Sequence, residues 1–376
     1  MSRNKKLAIV FSVMTCAIIL LVIMLIREFG TGNETKPVID EPSKVTITLK
    51  AVGDNLIHSP IYNSCKTEDG FNFDGLYTHI TPHIKDADIA AINQETIFVD
   101  SVSALSGYPA FGTPPEVGES VAKAGFNLVT HATNHTYDKG ADAVFHTIDF
   151  WKKHKGVTVI GINENQDKQD SITIWEKGDL KIALLNFTYG LNGYRPPADK
   201  SYLINIFGRG EKEEELLSKA EEEADITVVF LHFGTEYTHK PTSSQIKDVE
   251  FLTEGGADII IGTHPHVIQP ACEHISENGN RSVVFYSLGN FVSNQKENPK
   301  ILGGMANVTI SKEGDNVSID SYEMLPTVTH RENGMYSVYM LSDYTDELAK
   351  KNTRGSLLSV EKLQTMFDDV MNIEVK

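Results

Sequence analysis

"IIIGTHPHVI", residues 259–268, decides how this chain is read. Three isoleucines lead through a glycine into His264, Pro265 and His266. A continuous apolar run of this kind suits a strand covered on both faces, as in a parallel sheet. The two imidazoles stand where that strand runs out into a loop. Proline fixes its own φ and restricts the residue before it, so the pair is aimed from a stiff frame. In open α/β sheets, ligands bind outside the carboxyl ends of the strands. The question is whether other strands of the chain end in the same kind of residue.

They do. Apolar, β-branched runs recur as "VTITLKAVGD" (45–54), "DIAAINQE" (88–95), "NLVTHATNH" (127–135), "VTVIG" (157–161), "KIALLNF" (181–187), "ITVVFLHFG" (226–234) and "SVVFYSLGNF" (282–291). Helical patterns separate them at 114–125, 140–156, 211–224 and 243–256, some closed by glycine where a helix C-cap needs it. Strands alternating with helices predict an α/β fold with mostly parallel crossovers. From Gly303 the character changes: 303–326 reads as a β-hairpin and 356–370 as a terminal helix.

Polar residues gather at the predicted strand ends. Asp54 and Asn55 end the first run, Glu95 the second, and Asn134 and His135 the third. "HFGTEY" (232–237) presents His232, Glu236 and Tyr237; "GTHPH" gives His264 and His266, and "YSLGN" gives Asn290. Taken singly, each has an ordinary reading as a turn, a helix cap or a hydrogen-bonded histidine. Six such ends together predict a metal site built from imidazole, amide and carboxylate, a mixture suited to Mn, Zn or Fe. Two ions about 3.5–4 Å apart need a bridging carboxylate, and Glu95 is the natural one. The remaining histidines, His58 and His330 among them, read mostly as surface residues, and His131 as a core histidine.

Composition narrows the partners. The formal net charge of −17 argues against nucleic acid, which wants a basic face. Residues 7–26 run for twenty positions without a charge, long enough to cross a bilayer. Arg3, Lys5 and Lys6 ahead of them predict a cytoplasmic N-terminus, placing residues 28–376 outside the cytoplasmic membrane. A cleaved signal would have a shorter apolar region and a small-residue cleavage site, so the expectation is a single-pass anchor. Residues 27–44 read as a linker, 45–330 as the folded domain and 331–376 as a C-terminal extension with a helix. Only Cys65 and Cys272 lie beyond the span, allowing at most one disulfide.

In their order and spacing, "AVGDN", "NQE", "ATNH", "HFGTEY", "GTHPHV" and "YSLGNF" resemble the bacterial capsule-synthesis family CapA/PgsA, associated with poly-γ-glutamate. That family is similar to the calcineurin-like metallophosphoesterases. The resemblance implies a four-layer α/β/β/α sandwich with one or two divalent metal ions. By it, Asp54 and His266 belong to the first metal, Glu95 bridges, and Asn134, His232 and His264 hold the second. It makes His135 the acid or charge stabiliser. Asn55 and Glu236 are further catalytic candidates, and Tyr237 and Asn290 substrate contacts. The implied activity is that of a metal-dependent hydrolase or transferase working on an anionic surface polymer or its precursor. The alternative is a non-catalytic subunit that contacts other membrane-bound capsule-synthesis proteins. The family pattern begins Asp-x-His, and here position 56 is leucine. The first metal would then lack a ligand that Asn55 could partly replace, leaving the second position the better formed.

Overall fold

The computed structural model describes residues 18–25, 28 and 44–375. The chain divides into two compact units at Ser43/Lys44. In the first, residues 18–25 are helical and their apolar side chains are exposed. The predicted span over 7–26 lies outside the described residues at 7–17 and 26, as do the predicted cytoplasmic residues 1–6 and most of the linker. Among the described residues no helix is long and apolar enough to cross a membrane.

The second unit is a mixed α/β fold with two sheets. β1 (Val45–Asn55), β2 (Ile89–Gln94), β3 (Leu128–Thr130) and β4 (Thr158–Ile160) run parallel in one of them. The other is built on β5 (Thr173–Lys177), β6 (Leu180–Thr188), β7 (Ile226–His232), β8 (Ile259–Thr263), β9 (Ile268–Ile275) and β10 (Arg281–Leu288). Its order is β5-β6-β7-β8-β10-β9, with β6, β7, β8 and β10 parallel and an antiparallel strand at each edge. The short β11 (Asn290–Val292) leaves this sheet and pairs with β1 of the first.

Alternation along each strand explains why the runs are apolar throughout. Ile47, Leu49 and Ala51 of β1 pack in one core with Val228 and Phe230 of β7 and Ile259 and Ile261 of β8, so the two sheets face each other. The intervening residues look outward. Val52, Ile92 and Val129 pack with Val117, Val121 and Trp151 from the helices Glu116–Ala124 and Gly140–Trp151. Val229, Leu231 and Ile260 pack with Leu216, Leu217, Val249 and Leu252 from the helices Glu211–Glu223 and Ser243–Glu254. Gly125, left-handed at φ 108°, closes the first of these helices, and a Thr242–Gln245 capping box opens the last.

The predicted hairpin is β12 (Leu302–Glu313) and β13 (Asn316–Glu332), which turn at Gly314 and extend the first sheet beyond β1. β14 (Met335–Met340) pairs with β13, and residues 44–376 form one compact unit. A boundary after residue 330 therefore cuts through a strand. The terminal helix is Val360–Met371, and it starts four residues later than predicted because Ser359 caps it, accepting from the Lys362 N–H at 3.1 Å. Cys65 and Cys272 are both free.

The two sheets meet closely at the end of β1. The Asp54 N–H donates to the Gly289 carbonyl at 2.9 Å, and a Cβ on Gly53 would run into that same oxygen. Glycine at 53 is what lets the turn after β10 reach the strand that carries Asp54.

Candidate metal centre

The carboxyl ends of β1, β2, β7 and β8, with the loop after β3, converge as the parallel topology requires. Asp54, Glu95 and His266 are buried, and one ligand-type atom from each lies within 4.8 Å of the others. The His266 Nδ1 is 3.0 Å from the Asp54 Oδ2, and its Nε2 is 3.8 Å from the Glu95 Oε1. The His232 ring lies 4.9 Å from that of His264, and the His264 ring 5.9 Å from that of His266. The His232 Nε2 meets the Asn134 Oδ1 at 2.9 Å and lies 3.9 Å from the Glu95 Oε1. Six residues from five chain segments thus surround one point, with Glu95 near both His232 and His266.

The chain accepts backbone strain to make this arrangement. His264 has φ 100° and His266 φ 58°, left-handed values that non-glycine residues adopt uncommonly and that cluster at functional sites. Pro265 is held from outside by the Tyr237 N–H, which donates to its carbonyl at 2.7 Å.

Electrostatics point the same way. Both Glu95 oxygens and the His264 Nδ1 are buried without a hydrogen-bond partner. Burial, then the neighbouring Asp54, pushes the Glu95 carboxyl well above its ordinary range. Burial pulls His264 down to about 3, helped by His266 and His135, and it holds His232 well below its usual value. Burial also pulls on His266, but Glu95 and Asp54 outweigh it and raise that imidazole to about 9. Unpartnered carboxylate oxygens beside neutral imidazoles are the donor set a divalent cation satisfies, so these residues fit a metal.

Asp54, Glu95 and His266 are the residues that the resemblance assigned to the first metal and its bridge. Leu56 is buried, and Asp54, Glu95 and His266 lie close together without a residue from position 56. Asn55 does not replace the missing histidine. Successive strand residues face opposite ways, and its amide is consumed by the Tyr77 hydroxyl at 3.0 Å and the Gln94 Oε1 at 2.7 Å. Asn290 is likewise no substrate contact. It is fully buried, and its amide nitrogen lies 3.1 Å from the His266 carbonyl, 3.0 Å from the Gln295 Oε1 and 2.9 Å from the Lys300 carbonyl. It fastens the loops behind His266. Glu236 lies exposed on the rim, close enough to contribute to raising both Glu95 and His266. Tyr237 is 47% exposed, with its ring 6.0 Å from that of His266 and the Lys300 ammonium 4.0 Å from its centre, so it stays accessible at the mouth.

His135 is 6% exposed, and its Nδ1 lies 2.6 Å from the Asp138 Oδ2, which also accepts from the Phe111 N–H at 2.7 Å. Asp138 fixes the tautomer and leaves the Nε2 free to work. The sequence reading missed it, although the three-residue spacing in "HTYD" was a usable signal. Of the histidines read mostly as surface residues, His58 is half-buried and His330 is an exception. His58 stacks edge-on against Phe111 at 5.2 Å, the ring that His135 also packs on, and His330 is buried with its Nδ1 2.7 Å from the Tyr344 hydroxyl. His131 is in the core as expected, accepting from the Trp151 indole at 3.1 Å.

Residues 48–295 match the family described as bacterial capsule synthesis protein PGA_cap. The chain belongs to this family. It is 27% identical over 268 residues to the capsule biosynthesis protein CapA of Bacillus anthracis, covering 68% of this chain and 61% of that one. To the PGA biosynthesis protein CapA of Bacillus subtilis it is 26% identical over 295 residues, covering 74% and 72%. The match thus spans about three fifths of the first relative's length. Among solved structures, the chain is similar to a calcineurin-like phosphoesterase of Bacillus subtilis, at 15% identity and a TM-score of 0.46 over 88% of this chain and 98% of that one. It is also similar to the NAD nucleotidase of Haemophilus influenzae, at 12% identity and a TM-score of 0.46 over 87% and 60%. As a PGA_cap protein, the chain has its matched segment ending at residue 295, before β12.

Proposed function

We propose that this chain is a membrane-anchored, extracytoplasmic, metal-dependent hydrolase or transferase acting on an anionic capsule polymer such as poly-γ-glutamate, or on its precursor. The observation that carries the reading is Glu95: a fully buried carboxylate with neither oxygen partnered, between Asp54, His232 and His266. Asp54, Glu95 and His266, with Asn134, His232 and His264, would hold one or two divalent ions, Mn, Zn or Fe by their ligand chemistry. When bound, such an ion supplies Lewis acidity toward a phosphoryl or acyl oxygen. His135, oriented by Asp138, gives a proton to the leaving group. Tyr237 and Glu236 line the mouth through which a chain-like substrate would enter. The packing of two facing sheets between outer helices supports a four-layer α/β/β/α sandwich. A phosphate ester and a γ-glutamyl amide would both be served by these groups. The full-length chain is expected to copurify with, or bind, a divalent metal and to cleave a generic phosphodiester or poly-γ-glutamate in a metal-dependent way. Metal content together with both assays checks this, and a chain that binds no divalent metal would overturn it.

A second reading is supported by Leu56, which puts an apolar side chain where the family pattern supplies a ligand. On that reading the chain keeps the fold and works by contacting membrane-bound synthesis subunits. Both readings place residues 28–376 outside the cytoplasmic membrane, supported by the charge-free stretch 7–26 behind Arg3, Lys5 and Lys6. A reporter active only in the cytoplasm, fused after Lys376, is expected to be silent; an active fusion would reverse the orientation.

A further inference from the structure

A carboxamide offers a cation an oxygen on one side and an NH₂ on the other, so Asn134 can hold a metal in only one of its two amide orientations. Something must choose between them. In this structure the Asn134 Nδ2 donates to the Asn192 Oδ1 at 3.2 Å, the Tyr189 hydroxyl also bonds the Asn134 side chain, and the Asn134 Oδ1 is turned toward the His232 Nε2 at 2.9 Å. Reversing the Asn192 amide would present its NH₂ to Asn134 and favour the opposite, non-ligating orientation. The two amides are therefore coupled.

Asn192 comes from the other sheet, in the loop after β6, and its delivery is built into the backbone. Asn192 has φ 51° and Gly193 φ 85°, and the Tyr194 N–H donates to the Leu191 carbonyl at 2.8 Å. Two left-handed residues closed by that bond make the tight turn that an Asn-Gly pair favours. Leu191, only 3% exposed, roots the turn in a small core with Ile97 and Ala132, each two residues from a candidate ligand, Glu95 and Asn134. Asn192 itself is exposed, so burial of its own side chain does not explain its position. Its Nδ2 also lies 3.3 Å from the His135 Nδ1, but that ring nitrogen faces Asp138 at 2.6 Å, a shorter and charge-assisted contact.

We propose that Asn192 is a positioning residue for the metal centre, holding the Asn134 amide so that its oxygen faces the cation. This rests on the metal reading above and goes beyond it, since Asn192 carries no ligand-type role of its own. Groups that orient metal ligands typically contribute ~10–100-fold to affinity. Asn192→Gly removes the amide while keeping a residue at ease with a left-handed backbone. Asn192→Asp keeps an accepting oxygen. Asn134→Asp offers two equivalent oxygens and needs no orienting partner.

The test is a Mn²⁺ and Zn²⁺ titration of the metal-free full-length chain by calorimetry, with thermal unfolding of each metal-free variant alongside. Asn192→Gly is expected to weaken binding ~10–100-fold, and Asn192→Asp to recover most of that loss. In the Asn134→Asp background, Asn192→Gly is expected to change affinity by less than ~3-fold, a non-additivity that reports the contact itself. Wild-type affinity in Asn192→Gly would overturn the proposal. An equal loss in both Asn134 backgrounds would do the same by showing a general effect on the loop. Absence of metal binding in the parent chain would overturn the metal reading together with this one, and so is distinguishable from either.

Discussion

A Glu95→Gln chain is expected to lose divalent-metal binding and, stripped of metal, to unfold at a higher temperature than the parent. Glu95 is fully buried, neither of its oxygens has a partner, and burial together with Asp54 makes its charged form unfavourable. A buried polar group left unsatisfied costs about 1–3 kcal/mol, more when it is charged. Glutamine keeps the shape and removes the charge facing Asp54, so the charge-related part of that cost is relieved in the metal-free state. The same change takes away the carboxylate near both His232 and His266. Affinity should therefore fall by more than the ~10–100-fold that loss of an orienting partner brings. Thermal unfolding with and without chelator, paired with metal analysis, reads both effects. Parent-like metal binding in Glu95→Gln would remove Glu95 from the site. A lower unfolding temperature in the metal-free state would show that it is a structural carboxylate.

His135→Ala is expected to behave in the opposite way, keeping the metal and losing turnover by ~10²–10⁴, the range for removing a general acid or base. The geometry supports the split: His135 is bound to Asp138 and packs edge-on against Phe111 at 4.7 Å, outside the Asp54–Glu95–His266 group. His264→Ala should instead take metal and activity away together. The measurement that separates enzyme from scaffold is polymer output from cells carrying His135→Ala at matched protein level. Undiminished output would count decisively against catalysis; lost output with metal content unchanged would support it.

Most of the candidate ligands were legible because parallel strands bring their carboxyl ends together whatever the distance along the chain. Asp54, Glu95, His232, His264 and His266 needed only the recognition of strand ends. Asn55 was misread against a rule already available: adjacent residues on a strand face opposite ways, so a neighbour of Asp54 could not share its side. Asn290 shows a different limit. Its residue type suited a binding site, but its amide is turned inward by three acceptors from separate segments, a property no local pattern carries.

What the sequence determined by itself was the alternation of strands and helices, the two-sided burial of the strands, a hairpin within 303–326 and the chemistry gathered at the strand ends. These arise from periodicity and residue type, which act over a few residues at a time. That two sheets face each other was implied by the family resemblance and not by periodicity, whereas only the tertiary structure decided that Asp54, Glu95 and His266 close up without a histidine at 56. Only it brought Asn192 across from the second sheet to the Asn134 amide. The physical reason is that side-chain orientation at a buried site is set by which donors and acceptors the packed layers leave unpaired, and that balance exists only after the layers have met.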